Sequence, residues 1–240
     1  GTAHYAAEQY PDKKIRLLSL GGCVGCDYAE GTVDYCLDDL QIKLQSNVLA
    51  PEELVSMCAV RKNLYMLQGS RDLQRRKEYM PEDIEKLMAL AEKSFDDVIV
   101  DGGCSVDLGI GLGALIYGGT RILVVNQSQR AFERHMQKAQ VFLPLGIQFD
   151  RLLINRFVSR HFLPAEKTIR ESYQFSQSSV VIEYSDYGMQ AEEDHMALDH
   201  LDKAYKQQSS VFFKTLFQEP MQVASVRKGL GGYIKQIFRE

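Results

Sequence analysis

Phe95-Asp96-Asp97-Val98-Ile99-Val100-Asp101-Gly102-Gly103 is the stretch whose reading decides the fold. A short apolar run ends abruptly in an aspartate and two glycines. Such a run reads as a buried parallel strand that would deliver a carboxylate to the edge of a sheet. Open α/β sheets place their ligand sites at the carboxyl ends of their strands. Asp101 is therefore the first candidate functional residue.

Working outward, short apolar strands alternate with longer helical patterns. The strands are expected at Ile15–Leu20, Asn63–Leu67, Asp97–Asp101, Arg121–Asn126, Phe149–Asn155 and Val180–Tyr184. The helices are expected near Val33–Leu40, Pro81–Lys93, Leu108–Tyr117, Ser128–Phe142 and Pro164–Tyr173. Pro81, followed by Glu82 and Asp83, suits a helix N-terminus. This alternation implies an α/β fold: a three-layer, doubly wound, mainly parallel sheet with helices on both faces. Ala3, Ala6 and Ala7 before Tyr10-Pro11 read as the end of a helix. The strand preceding that helix is expected upstream of residue 1.

Composition narrows the class. The chain has 240 residues, 45% of them hydrophobic, enough for one full α/β domain with a sizeable core. A formal net charge of −4 argues against nucleic-acid binding over the whole surface. No apolar run approaches the ~18 residues of a membrane span, and the start shows no signal-peptide pattern. The cysteines number five, an odd count. Without secretory context they read as reduced thiols of a cytoplasm.

Several segments, taken in order, resemble the deviant-Walker P-loop proteins, the MinD/ParA-like ATPases. Ala6-Ala7-Glu8 through Lys13-Lys14-Ile15-Arg16-Leu17-Leu18-Ser19 resembles the family's first helix and second strand. Gly31-Thr32-Val33-Asp34-Tyr35-Cys36-Leu37 is similar to its "G-L-S-D-Y-L" segment. Asn63 to Ser70 resembles "N-L-Y-V-L-P-A-G", and Phe95 to Asp101 resembles the Walker B strand "Y-D-Y-V-I-V-D". Leu153-Ile154-Asn155-Arg156 is similar to the "L-V-L-N-R" strand. Within the family the chain looks most like the TadZ/CpaE branch, which helps place and assemble Flp-type pili. Two further branches stand as alternatives: capsule-type tyrosine kinases and DNA-partition ATPases. The kinases normally end in a tyrosine cluster, whereas this tail offers Tyr233 alone.

The resemblance implies roles, and each residue also has a plainer reading. Asp101 would hold a magnesium-bound water beside the γ-phosphate, or cap a turn or the next helix. Gly102 and Gly103 would let the backbone approach a ligand, or serve as turn glycines. Asn155, followed by Arg156, would read the adenine edge, or satisfy loop backbone groups at a strand exit. Tyr184 and Asp186 occupy the place of the family's "I-P-Y-D" adenine loop, without its proline. Ser19 falls where many relatives carry a water-orienting aspartate, and Gly21 where they carry a second. Both departures weaken hydrolysis.

A phosphate loop needs glycines and a lysine that cradle phosphates. No lysine here stands in a G-K-[ST] context; Lys13-Lys14 and Lys228-Gly229 do not qualify. Gly1-Thr2 is either the remnant of such a loop or unrelated to one. ATP and magnesium are expected only where residues outside this chain supply the loop, and any ATPase activity is then weak.

Cys23-Val24-Gly25-Cys26 reads as a glycine-rich loop with small thiols; a metal site would need two further donors. Glu192, Glu193, Asp194, His195, Asp199 and His200 read as a solvated helix face, matching no H-E-x-x-H pattern. Residues 1–218 are read as the ATPase-fold domain, with Val211–Phe217 as its last core helix, and 219–240 as a basic amphipathic tail. In that tail Leu230, Tyr233, Ile234, Ile237 and Phe238 share one helical face, with Arg227, Lys228, Lys235 and Arg239 supplying charge. The tail resembles the membrane-targeting helices of MinD-like proteins. It would lie on an anionic bilayer, or pack on its own domain or a partner subunit.

The function expected is that of a nucleotide-binding or degenerate ATPase-fold protein that forms a homodimer. It would localise or assemble a pilus or secretion machine, peripheral to the inner face of a bacterial cytoplasmic membrane. A receiver-like domain precedes some relatives. DNA is not an expected partner: Arg130, Arg134 and Lys138 form the one candidate stripe, which reads more simply as a solvated face.

Overall fold

The computed structural model describes residues 2–21, 35–60, 62–187 and 203–217. They form parallel sheets flanked by helices, in two compact units. The first gathers the described residues of Gly1–Gly118 with Asp186 and Tyr187; the second gathers those of Gly119–Ser185 and Lys203–Glu240.

The first unit runs α1 (Thr2–Gln9), β1 (Ile15–Ser19), α2 (Leu37–Gln45), α3 (Pro51–Cys58), β2 (Leu64–Leu67), α4 (Pro81–Ser94), β3 (Asp97–Asp101) and α5 (Gly109–Tyr117). Its three-stranded sheet has the order β2-β1-β3. Both pairings are parallel, and the β1–β3 register sets Ser19 opposite Asp101. Leu18, Leu40, Leu54, Leu67, Ile84 and Leu87 are fully buried in its core. Burying an aliphatic side chain of this size removes ~1.5–3 kcal/mol of apolar hydration cost.

Helix starts in this unit use acids at the third position. Cys36 N–H donates to Asp39 Oδ2 at 2.8 Å, and Met80 N–H to Asp83 Oδ2 at 3.0 Å. Each satisfies a donor that the helix itself leaves open. Helix α5 comes close to its neighbours because it is glycine-rich. A Cβ on Gly109 would strike the Tyr79 carbonyl, and one on Gly113 would strike Ile84, on α4. A Cβ on Gly111 would strike the Ser105 carbonyl on the other side.

The second unit runs β4 (Ile122–Val125), α6 (Gln129–Phe142), β5 (Arg151–Phe157), α7 (Glu166–Ser172), β6 (Val180–Glu183) and α8 (Lys203–Phe217). Its sheet has the order β4-β5-β6, again all parallel. Leu152 and Ile154 pack with Ile169 and Tyr173. Leu153, with its side chain on the opposite face, joins Ile182 and Phe212 of α8. That alternation is the two-residue period of a strand buried on both sides.

Several boundaries move. The helix expected at Val33–Leu40 starts at Leu37, because the Cys36–Asp39 contact fixes the N-cap there. The helix α3 was not expected. The strand expected to end at Asn155 runs on to Phe157, through an irregularity between Ile154 and Phe157. The last core helix starts earlier than expected, at Lys203, and buries Phe212 and Phe213.

Candidate functional site

The described residues place the candidates in two clusters, one in each unit. In the first, Asp101 ends β3 with its side chain exposed. Its carbonyl accepts the Leu20 N–H at 2.8 Å, which ties the exits of β1 and β3 together. Its Oδ1 accepts the Gly103 N–H at 3.0 Å. Gly103 has φ of +63°, the left-handed conformation that glycine adopts without steric cost. The turn-capping role is thus real, and it occupies one carboxylate oxygen. Oδ2 takes no hydrogen bond among the described residues and remains free for a ligand.

Beyond this pair the two strand exits touch as bare backbone. A Cβ on Gly21 would fall on the Cα and N of Gly103, and a Cβ on Gly103 would fall on the Gly21 Cα. No side chain fits at either position. Position 21 therefore admits no acid, nor any other side chain. Ser19, half-buried, stands opposite Asp101 in the register. Gly102 is less constrained: a Cβ there would meet Ala114 Cβ at 3.2 Å.

Arg76 was not singled out by sequence reasoning. It lies in a single 3-10 turn, Arg75–Lys77, between β2 and α4. Arg75 and Lys77 are exposed, whereas Arg76 is only 9% exposed and donates from Nη2 to the Gly21 carbonyl at 3.3 Å. The signal available was three consecutive cations, which do not show which one turns inward.

In the second cluster, Asn155 and Arg156 form the irregular step of β5. Arg156 is exposed with φ of 56°, and the Asn155 Oδ1 accepts the Arg156 N–H at 3.0 Å. The loop-satisfying role of Asn155 is thus present. Its Nδ2 has no acceptor among the described residues, and an amide donor can still meet a purine ring nitrogen. Tyr184 follows β6; its N–H donates to the Phe157 carbonyl at 2.9 Å and its side chain is 44% exposed. The ends of β5 and β6 therefore bring Asn155, Arg156 and Tyr184 to one edge of that sheet. Asp186 is exposed and groups with the first unit.

Of the expected basic stripe, Arg130 and Arg134 are exposed and Lys138 is half-buried. Cys23, Cys26, Glu192, His195, Lys228, Leu230, Ile234, Lys235, Ile237 and Phe238 lie outside the described residues. No helix among the described residues is long and apolar enough to cross a membrane.

No protein-family model and no curated protein matches this chain. Solved structures do. A ParA family ATPase from Chlorobium tepidum TLS superposes with a TM-score of 0.72 at 19% identity, over 90% of this chain and 91% of that one. The chain has the fold of the MinD and ParA ATPases. The cell division protein MinD from Aquifex aeolicus gives 0.68 at 14% identity, over 93% of this chain and 92% of its own. The septum site-determining protein MinD from Pyrococcus horikoshii OT3, complexed with Mg-ADP, gives 0.69 at 14% identity, over 90% and 89%. At these identities the MinD/ParA likeness establishes the fold, and site roles must be argued from the residues.

Magnesium needs few protein ligands when phosphates share it; one or two carboxylates suffice. The exposed Asp101, with one free oxygen beside glycines that let a ligand approach, fits that requirement. Asn155 fits a base-reading role through its free amide nitrogen.

Proposed function

We propose that this protein is a MinD/ParA-like, nucleotide-responsive positioning protein, with magnesium-ATP as its ligand and slow or no turnover. The observation that carries the reading is Asp101: an exposed carboxylate at the carboxyl end of an apolar parallel strand, half committed to its turn and half free. A neighbour of the same fold, the Pyrococcus horikoshii MinD, is a Mg-ADP complex. In this reading Asp101 of the first unit would hold a magnesium-bound water; Asn155, Arg156 and Tyr184, taken separately in the second unit, are the residues that would contact a base. Magnesium, when bound, supplies charge neutralisation to the phosphates. The reading requires a phosphate-cradling loop supplied by residues outside this chain.

Weak hydrolysis follows from the chemistry. Ser19 is no anion, and the packing at Gly21 admits no acid. A protein that binds nucleotide without turning it over rapidly works as a switch between assembly states. The finer proposal is therefore a homodimer of the TadZ/CpaE kind, which localises a pilus or secretion machine at a membrane and uses the basic tail as anchor.

Calorimetric titration of the full-length protein with ATP and magnesium tests the site. Asp101→Ala and Asn155→Ala should each weaken binding by about tenfold, equivalent to ~1.4 kcal/mol. Tight binding unchanged in both variants would overturn the assignment.

A further inference from the structure

We propose that Arg76 is a positioning residue for the Asp101 carboxylate, acting through Gly21 and Gly103. The inference deepens the proposed site, but its first test needs no nucleotide.

The relay has three steps. Arg76 Nη2 donates to the Gly21 carbonyl at 3.3 Å, across 55 residues of sequence. Gly21 rests directly on Gly103, with no room for a Cβ on either. Gly103, at φ of +63°, turns its N–H back to Asp101 Oδ1 at 3.0 Å. The guanidinium thereby supports the turn that ties down one carboxylate oxygen and leaves the other facing outward. The donor is charged, which strengthens a hydrogen bond, but at 3.3 Å this one is long, and its hold comes with the packing of Gly21 on Gly103.

Arg76 can act this way because its own loop is held. The Asp38 carboxylate accepts the N–H groups of Arg71 and Asp72 at 2.8 and 3.2 Å. Asp72 in turn caps the turn by accepting the Gln74 N–H at 2.7 Å. The Arg76 N–H donates to the Asp72 carbonyl at 2.9 Å. Tyr79, three residues on, is buried and donates from its hydroxyl to the Leu37 carbonyl at 2.9 Å. The segment between β2 and α4 is thus fastened on both sides of Arg76. Placement of a functional group within ~0.5 Å requires such a supporting shell.

A purely structural arginine would stabilise the fold without changing how Gly103 meets Asp101. The Gly103 amide resonance, read by NMR of the full-length protein, separates the two roles. In the wild-type protein Asp101→Ala should move the Gly103 amide proton upfield, because its carboxylate acceptor is removed. In an Arg76→Ala background that displacement should fall by at least half, and Arg76→Lys should restore most of it. Arg76→Met, which keeps the length and removes the donors, serves if the alanine variant does not fold. An undiminished Asp101→Ala displacement in folded Arg76→Ala or Arg76→Met protein overturns the proposal.

A second measurement keeps this inference apart from the nucleotide reading. ATP affinity with magnesium, divided by affinity in chelator, should fall in Arg76→Ala to the Asp101→Ala level. Affinity in chelator alone should change less than twofold. If the wild-type protein binds no ATP while the Gly103 displacement behaves as expected, the positioning role stands and the nucleotide reading falls. If ATP binding depends on magnesium but Arg76→Ala leaves that dependence intact, the positioning role falls and the nucleotide reading stands.

Discussion

Arg16 Nη2 donates to Cys58 Sγ at 3.2 Å, and the two residues are 0% and 1% exposed. The guanidinium also lies over the Phe95 ring, 4.8 Å from its centroid. Its Nε and Nη1 are buried without a hydrogen-bond partner. Burial pushes the Arg16 guanidinium down and the Cys58 thiol up, and each partner partly offsets the other's shift. A central strand position is an expensive place for such a cation. Replacing buried ionic groups by apolar ones of similar volume is often neutral or stabilising by ~1–4 kcal/mol. Arg16→Met should therefore raise the free energy of unfolding. Cys58→Ala alone should lower it, because the guanidinium then loses its sulfur. Urea denaturation of both variants and the double variant checks this; a destabilised Arg16→Met would contradict it.

The contact between Gly21 and Gly103 makes a second expectation. Either glycine changed to alanine forces the two strand exits apart, at a cost of about 1–3 kcal/mol for overpacking. Gly103→Ala adds the strain of φ at +63°. Because the two changes disturb one contact, the double variant should lose less than the sum. Additive losses in a double-mutant cycle would show that the glycines do not sense each other.

His135 predicts a pH dependence. Its ring lies 5.0 Å from that of Tyr173, 6.0 Å from Phe142 and 6.1 Å from Phe149. Burial in this aromatic group, and then the charge of Lys138, lower its pKa below the usual histidine value. Above the unfolded value of ~6.5 both states are neutral and no stability is lost. As pH falls through ~6.5 the unfolded chain gains a proton that the folded one resists, so stability drops until the lowered folded value is reached. Denaturation between pH 8 and pH 5 should show this fall in the wild-type protein and a smaller one in His135→Phe. Parallel profiles for the two proteins would remove histidine from the account.

The membrane proposal rests on residues 223–240. Deleting them should abolish sedimentation with vesicles rich in anionic lipid while leaving the melting temperature of the remaining fold unchanged. Equal sedimentation of both forms would discard the tail as an anchor.

The strand at Asp97–Asp101 was legible because an apolar run bounded by acids and glycines has few other readings, and its limits agree with the structure. Helix α3 was not legible from periodicity, since eight residues barely complete two turns. Pro51 followed by Glu52 and Glu53 was the available start signal. The extension of β5 past Asn155 was hidden because Arg156 adopts a left-handed conformation inside a strand, which no local preference for arginine announces. Asp101 was found as a candidate, but its partner atoms were not. The Gly103 turn is local, two residues from Asp101, and fits the turn-glycine reading; the Gly21 contact and the reach of Arg76 depend on chain segments far apart in sequence.

The paired glycines at the strand exits also bear on ancestry. A single codon change that put an acid at position 21 would land on the Gly103 backbone, so a side chain at that strand exit is closed to one mutation at a time. Reversal would need a concerted shift of two separate loops. The contact works as a ratchet: once the two glycines touch, each holds the other in place.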